Sequence, residues 1–410
     1  MFADLFGPVV SAFNGTGLLL LAVAVVALVV LGLFLTPRAF VDRRLRRIAE
    51  GAGLTVSHRT RQGEQAVSFP RVMKRARTPF GYRLTVALPS GMSVEDVTRH
   101  DAELADGLSA QEVRVSRGSP GVAVLEVYVR DATPAAFDLD ALHSTIRATG
   151  GGRDLWLPVG IRDDGSPYRV GLGHLLIVGA TGSGKGSALW SVIRALDALR
   201  SEGLAILYGI DPKRAELVGV GAGFERVEYE HAGALAVLEQ VGQVMGERKL
   251  LGLRSFKATV DRPWLVLVLD DFNGLLNDPE AARRRRIGEL LHMILSQGRS
   301  LGVVVVAAAQ NAQKESLGQL RTHFQTRIVL RVETASDVDM VLGAGSAEAG
   351  ARAHEIPPAT ESNGYATAGV AYARSDGEPV PVRFRFPFVR DAEIAAWVEA
   401  AGRRSDHGRA

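Results

Sequence analysis

The sequence predicts an α/β protein: a mainly parallel sheet with helices on both faces, preceded by a small α/β module and one transmembrane helix. Three observations predict it. From residue 151 onward, short apolar runs alternate with stretches of helical spacing, and such alternation builds a parallel sheet covered on both sides. The run Leu175 to Ser187, LLIVGATGSGKGS, passes from an apolar strand through a glycine-rich turn to a lysine at the head of a helix. The run Trp264 to Asp271, WLVLVLDD, is unbroken apolar sequence suited to the centre of such a sheet, and it ends in two carboxylates.

Taken from the start, residues 17–35, GLLLLAVAVVALVVLGLFL, carry no charge and approach the roughly 20 residues that cross a bilayer. Asp4 precedes this run, and Arg38, Arg43, Arg44, Arg46 and Arg47 follow it. That is the reverse of a cleaved signal peptide and places the rest of the chain on the cytoplasmic side of the cell membrane in a single pass. Residues 1–50 are thus read as an anchor with a basic juxtamembrane segment. Residues 51–82 read as an irregular, positively charged linker, with Arg59, Arg61, Arg71, Lys74, Arg75 and Arg77 available to solvent, DNA or anionic lipid.

From Arg83 the pattern sharpens. Leu84, Val86 and Leu88 alternate as a strand, Ser93 and Asp96 open a capped helix, and two strands flank the turn at 118–121. This small module ends near residue 150. The larger unit, 151–395, then reads as strands at 175–178, 204–210, 264–269, 302–309 and 327–332 and helices at 184–199, 232–249 and 281–297. Two shorter strands follow within 367–385, and 396–410 reads as a polar tail.

Composition narrows the chemistry. A chain of 410 residues with 47% hydrophobic content can bury the cores of two domains. The 48 basic and 45 acidic residues nearly balance, so a nucleic-acid surface would have to be local. The absence of cysteine removes disulfides, thiolate catalysis and cysteine zinc sites, and the nine histidines fall at no ligand spacing.

The glycine-rich turn is a phosphate cradle. Gly179, Ala180, Thr181, Gly182, Ser183, Gly184, Lys185, Gly186 and Ser187 form the candidate nucleotide-binding loop. Its glycines let backbone N–H groups converge on phosphates, Lys185 adds a point charge, and the following helix aims its positive end there. One position departs from the usual pattern: the hydroxyl that follows the lysine and touches Mg²⁺ is replaced by Gly186, with Ser187 one residue later. Adjacent helical residues lie about 100° apart, so Ser187 serves only if the helix start adjusts. Asp270 is the candidate metal residue, and Asp271 stands where a general base for the attacking water would stand. Ligands in such sheets lie beyond the carboxyl ends of the strands, where the loop, Asp211, Asp270 and Gln310 converge.

Several blocks in order resemble the FtsK/SpoIIIE family of DNA-pumping motor ATPases. They are GATGSGKGS at 179–187, DPKRAEL at 211–217, LVLVLDD at 265–271, QGRSLGVVVVAAAQNAQ at 297–313 and HFQTRIVLRVETASDVDMVLGAG at 323–345. LPSGMSVEDV and EVRVSRGSPGVAVLEV, within 83–130, are similar to the small domain preceding the motor in that family. The resemblance implies a RecA-like P-loop motor that uses ATP and Mg²⁺ and assembles as a homo-oligomeric ring, a hexamer, around double-stranded DNA. It makes Gln310 the sensor of the γ-phosphate or attacking water and gives Asp211 and Lys213 places near the site. A ring motor needs a cation reaching across the interface. Arg299 is the candidate, with Arg327 and Arg331 as competitors. The arginines 283–286 are read either as pore contacts to DNA or as a solvated helix face. The family usually has Glu where this chain has Asp271, which withdraws the carboxylate by roughly 1.5 Å.

The function so implied is a membrane-anchored, ATP-driven double-stranded DNA translocase for conjugative plasmid or integrative-element DNA. The alternatives are a type VII-like protein-secretion ATPase, a chromosome-segregation translocase, or a scaffold that binds ATP without hydrolysing it.

Overall fold

The computed structural model describes residues 41–59, 64–130, 137–138, 156–252, 255–311, 318, 320–375 and 381–407. The apolar run at 17–35 lies outside them. Among the described residues no helix is long and apolar enough to cross a membrane. The chain divides into two compact units, residues 1–132 and 133–410.

In the first unit, helix α1 (residues 41–51) precedes strands β1 (Val56–Arg59), β2 (Gln65–Ser68), β3 (Arg71–Thr78) and β4 (Gly81–Ala87). Helices α2 (Val94–Thr98) and α3 (Asp101–Leu108) then lead to β5 (Glu112–Arg117) and β6 (Val122–Tyr128). β1 and β2 form a separate hairpin, and β3-β4-β6-β5 form an antiparallel sheet. The predicted helix start is present as a full capping box between Ser93 and Asp96.

Two expectations change here. The stretch 51–82, read as an irregular linker, holds three strands. In β3 only Val72 is fully buried, because an edge strand with one solvated face can carry arginines and a lysine that mask the apolar alternation. The basic segment after the apolar run belongs to this unit as well. Val41 and Leu45 of α1 enter its core with Leu84, Leu104 and Leu125, and Asp42 Oδ1 accepts the Val72 N–H at 2.9 Å.

The second unit opens with strands β7 (Trp156–Arg162), β8 (Pro167–Gly171) and β9 (Leu175–Val178), then helices α4 (Lys185–Ala195) and α5 (Asp197–Ser201). Strands β10 (Ala205–Ile210) and β11 (Arg226–Glu228), helix α6 (His231–Leu250), strand β12 (Trp264–Leu269) and helices α7 (Phe272–Leu276) and α8 (Ala281–Gln297) follow. β13 (Val303–Ala309), β14 (Thr326–Val329), α9 (Ala335–Leu342), β15 (Val370–Ser375), β16 (Val382–Arg385) and α10 (Asp391–His407) complete it.

One ten-stranded sheet joins these strands in the order β11-β10-β12-β13-β9-β14-β15-β16-β7-β8. The six strands from β11 to β14 run parallel, and the rest are antiparallel. The central strands are apolar throughout because both of their faces are covered. Leu176, Val178, Leu265, Leu267 and Val305 face a core with α6, α8 and α9, while Leu175, Ile177, Val266, Val268 and Val306 face one with α4 and α10.

The hairpin β7–β8 has no counterpart in the sequence reading. Pro158 and Gly160 sit at a bulge in β7 and hide its strand character. The tail expected from 396 is instead most of α10. Ile394, Trp397, Val398 and Ala401 recur at helical spacing, and Trp397 is only 2% exposed. Its indole Nε1 donates to Asp197 Oδ1 at 2.8 Å, and its ring meets Trp190 of α4 edge-on.

Candidate functional site

The parallel strands β10, β12, β13, β9 and β14 are neighbours in the sheet, so the segments that follow them share one edge. The loop after β9 is pinned on both sides: Gly179 N–H donates to Ala309 O at 3.2 Å and Ala180 N–H to Arg331 O at 2.8 Å. Gly182 and Gly184 have φ of 74° and 95°, backbone that other residues adopt only at a cost. At Gly184 a side chain is also barred by space, since a Cβ would lie 2.6 Å from the Gly369 nitrogen. The loop ends at the N-terminus of α4, whose first turn carries no acidic residue. An anion is therefore met by free N–H groups and the positive end of the helix.

Lys185 Nζ donates to Gly179 O at 2.7 Å and Ala180 O at 3.1 Å. Burial holds its amine below the ordinary lysine value, against the opposing pull of Asp270. On the other side, Asp270 and Asp271 emerge from β12, 8% and 5% exposed. Burial, with the charges of Asp211 and Glu216 added, pushes Asp270 up to about 7. Asp271 lies in the left-handed region, φ 54° and ψ 62°, and its Oδ2 is 3.0 Å from Lys213 Nζ. A non-glycine residue held there carries strain, which the surrounding packing must sustain.

A cavity of about 330 Å³ joins these groups, lined by Thr181, Gly182, Gly184, Lys185, Gly186, Lys213, Ala215, Glu216, Asp270, Asp271, Ala308, Ala309 and Gln310. The candidates Lys185, Asp270, Asp271 and Gln310 are thus brought together. Asp211 is wholly buried beside them and organises the loop after β10: its Oδ2 accepts the N–H groups of Glu216 at 3.0 Å and Leu217 at 2.9 Å. Ser187 is turned elsewhere. Its hydroxyl accepts the Val389 N–H at 3.2 Å, so the helix start does not bring it to the missing hydroxyl's place.

Arg299 is not brought into this cavity. It lies in the turn 298–301 that precedes β13, whereas Gln310 follows the same strand. Seven residues of strand separate the two edges by roughly 20 Å. Arg331, by contrast, borders the loop, with Nη2 3.4 Å from Thr181 O. The arginines 283–286 have partners inside the chain: Arg283 with the buried Asp278 at 2.5 Å, Arg284 with Asp278 O at 2.6 Å, Arg285 with Glu289 at 3.0 Å and Arg286 with Glu239 at 3.6 Å.

Glu216 is the charged cavity residue that sequence reasoning did not single out. Two indirect signals pointed to it: its place in the DPKRAEL block at 211–217, and a loop whose usual hydroxyl is missing at Gly186.

Among the described residues no group of three or more His, Asp or Glu side chains closes on one metal position. What the cavity offers a hard divalent cation is the carboxylates of Asp270 and Glu216, both held above the ordinary carboxylate range by burial and by Asp211, and oxygen donors are what Mg²⁺ takes beside those of a nucleotide's phosphates.

Residues 158–354 match the FtsK/SpoIIIE family. The ESX secretion system protein EccC of Thermomonospora curvata is 31% identical over 243 residues, covering 52% of this chain and 18% of that protein. The DNA translocase SftA of Bacillus subtilis is 24% identical over 343 residues, covering 76% of this chain and 33% of that one. This chain therefore spans about a third or less of the length of these two relatives. Among solved structures, the pCW3 conjugation coupling protein TcpA, in a monomer form with ATPγS, shares the fold with a TM-score of 0.55 and 15% identity. It covers 88% of this chain, which covers 98% of it.

Proposed function

We propose, on the premise that residues 158–354 belong to the FtsK/SpoIIIE family of P-loop ATPases, that this chain is an ATP-driven translocase of double-stranded DNA. The observation that carries the proposal is the meeting of Lys185, Asp270, Asp271 and Gln310 around one cavity at the carboxyl edge of five adjacent strands. The backbone N–H groups of Gly182, Gly184 and Lys185, with the Lys185 amine, would hold the phosphates. Asp270, with Glu216 nearby, would hold Mg²⁺, which when bound neutralises charge developing on the transferred phosphoryl group. Asp271, aimed by Lys213, accepts a proton from the attacking water, and Gln310 orients that water or senses the γ-phosphate.

Arg299 lies at the far edge of its own sheet, a placement that suits a cation serving a neighbouring subunit's site. This supports a ring, which we take to be hexameric. DNA as the substrate draws support from the relatives named DNA translocase, which align over as much as 80% of this chain. The finer reading is a single-pass anchor in the cell membrane and transfer of conjugative plasmid or integrative-element DNA. It draws on the succession of the apolar run 17–35, a small α/β unit and a motor unit along the sequence.

A second reading, a protein-secretion ATPase, is favoured by the 31% identity to EccC. ATP hydrolysis by the full chain with and without double-stranded DNA separates the two, beside Lys185→Ala and Asp270→Ala. The DNA reading expects strong stimulation that both substitutions abolish. Hydrolysis indifferent to DNA moves the assignment to secretion, and nucleotide binding without hydrolysis moves it to a scaffold.

A further inference from the structure

We infer that Glu216 stands in for the hydroxyl missing at position 186, presenting its carboxylate to the divalent cation that accompanies the nucleotide. The inference rests on the reading of 179–187 as a nucleotide loop and adds to it a metal-facing residue from a different segment.

The geometry is specific. A Cβ built on Gly186 would lie 2.3 Å from Glu216 Oε1 and 2.5 Å from Oε2. The space that a serine or threonine side chain needs is therefore already filled by a carboxylate. Ser187, the nearest hydroxyl in sequence, is engaged by Val389 N–H. Glu216 is held in place from behind: Asp211 Oδ2 takes its N–H and that of Leu217, Leu217 is wholly buried, and Tyr229 donates its hydroxyl to Leu217 O at 2.9 Å. A glycine on α4 and a glutamate on the loop after β10 thus occupy one position between them.

The exchange alters the site's electrostatics. A serine hydroxyl is neutral, whereas Glu216 adds a negative charge beside Asp270, Asp271 and the fully buried Asp211. Without a divalent cation, nucleotide phosphates entering the cavity meet these carboxylates across a short distance, opposed by Lys185 and Lys213. With the cation present, the same carboxylate becomes a strong oxygen ligand. Nucleotide binding should therefore depend on the metal more steeply than a hydroxyl site allows.

The test follows binding of a fluorescent, slowly hydrolysed ATP analogue to the full chain while Mn²⁺ is titrated, with a parallel measurement in EDTA. Glu216→Gln is expected to raise the half-saturating Mn²⁺ concentration by about 10-fold to 100-fold, while affinity in EDTA stays the same or tightens. Glu216→Asp, which keeps the charge and withdraws the oxygens by one methylene, is expected to fall between. In a Gly186→Ser background, where the restored side chain displaces Glu216 and supplies its own hydroxyl, Glu216→Gln is expected to cost less than about threefold, roughly 0.6 kcal/mol or below.

An unchanged Mn²⁺ requirement in Glu216→Gln overturns the assignment, as does an equal cost in both backgrounds. So does a loss in EDTA as large as the loss with Mn²⁺, which would mark a residue that only steers Lys185. Failure of the unaltered chain to bind the analogue at any Mn²⁺ concentration is a different result: it overturns the nucleotide site itself.

Discussion

Lys213 Nζ lies 3.0 Å from Asp271 Oδ2, joining a half-exposed lysine of the loop after β10 to a carboxylate only 5% exposed at the end of β12. The pair is unequal, because the lysine can regain water when it lets go and the aspartate cannot. Lys213→Met should leave nucleotide affinity within about threefold and lower hydrolysis by about tenfold or more, since it frees the candidate base from its aim. A stability loss of about 1–2 kcal/mol should accompany it, less than for a fully buried pair because Lys213 is half exposed. Single-turnover kinetics beside a melting curve checks both.

Asp271 itself offers a cleaner separation of stability from activity. Its left-handed backbone suits asparagine at least as well. Asp271→Asn should melt no earlier than the unaltered chain and hydrolyse ATP about 10²-fold to 10⁴-fold more slowly, the range for removing a general base. A variant that melts much earlier would show that the charge, not the chemistry, is what the position needs.

Asp270 should make the metal-free chain sensitive to pH. Its folded pKa, about 7, lies above the ordinary aspartate value of 3.8, so the folded state holds an extra proton between the two. That contribution to stability is complete below about pH 3.8 and is lost as pH rises through about 7, at up to about 1.4 kcal/mol per pH unit. Asp270→Asn should flatten this slope and be the more stable chain near pH 8. Chemical denaturation at several pH values without divalent cations reads it directly.

Arg299 should act on a neighbour's nucleotide. Arg299→Ala is expected to bind ATP normally and to hydrolyse it about 10³-fold more slowly. Mixing it with Lys185→Ala should restore part of the activity, because some interfaces then pair an intact loop with an intact arginine. If mixing restores nothing while Arg331→Ala behaves as described, the arginine beside the loop takes the role.

Trp397 ties α10 to the helix that begins at the phosphate loop. Trp397→Ala should cost about 3–5 kcal/mol through loss of packing against Trp190 and Phe224. Gly223→Ala should also be felt, since a Cβ there would lie 2.1 Å from the indole ring. Thermal melts of both variants, with and without nucleotide, measure the two costs and show whether nucleotide recovers them.

The sheet centre was legible in the sequence because burial on both faces forces unbroken apolar runs. Strands 175–178 and 264–269 and helix 281–297 have the bounds the sequence predicts. Periodicity fails where one face is wet or the backbone is irregular. β3 is dominated by Arg71, Lys74, Arg75 and Arg77, and β7 is interrupted by Pro158 and Gly160. In the site, the loop and the Asp pair were legible because each is contiguous. Glu216 was not, because its meeting with Gly186 exists only once β9 and β10 have been placed in one sheet.

The hairpin β7–β8, which opens the second unit, finds its sheet partner in β16 near the unit's other end, with Arg162 opposite Phe384. A chain emerging from the ribosome at roughly 5–20 residues per second therefore waits on the order of tens of seconds before this hairpin can dock. For the earlier part of that interval, before β13 and β14 have emerged, β9 lacks these two neighbours, and the phosphate loop lacks the carbonyls of Ala309 and Arg331 that pin it. The unit thus acquires its nucleotide cradle late in synthesis, and a chain stalled before β13 and β14 carries the loop's sequence without its grip.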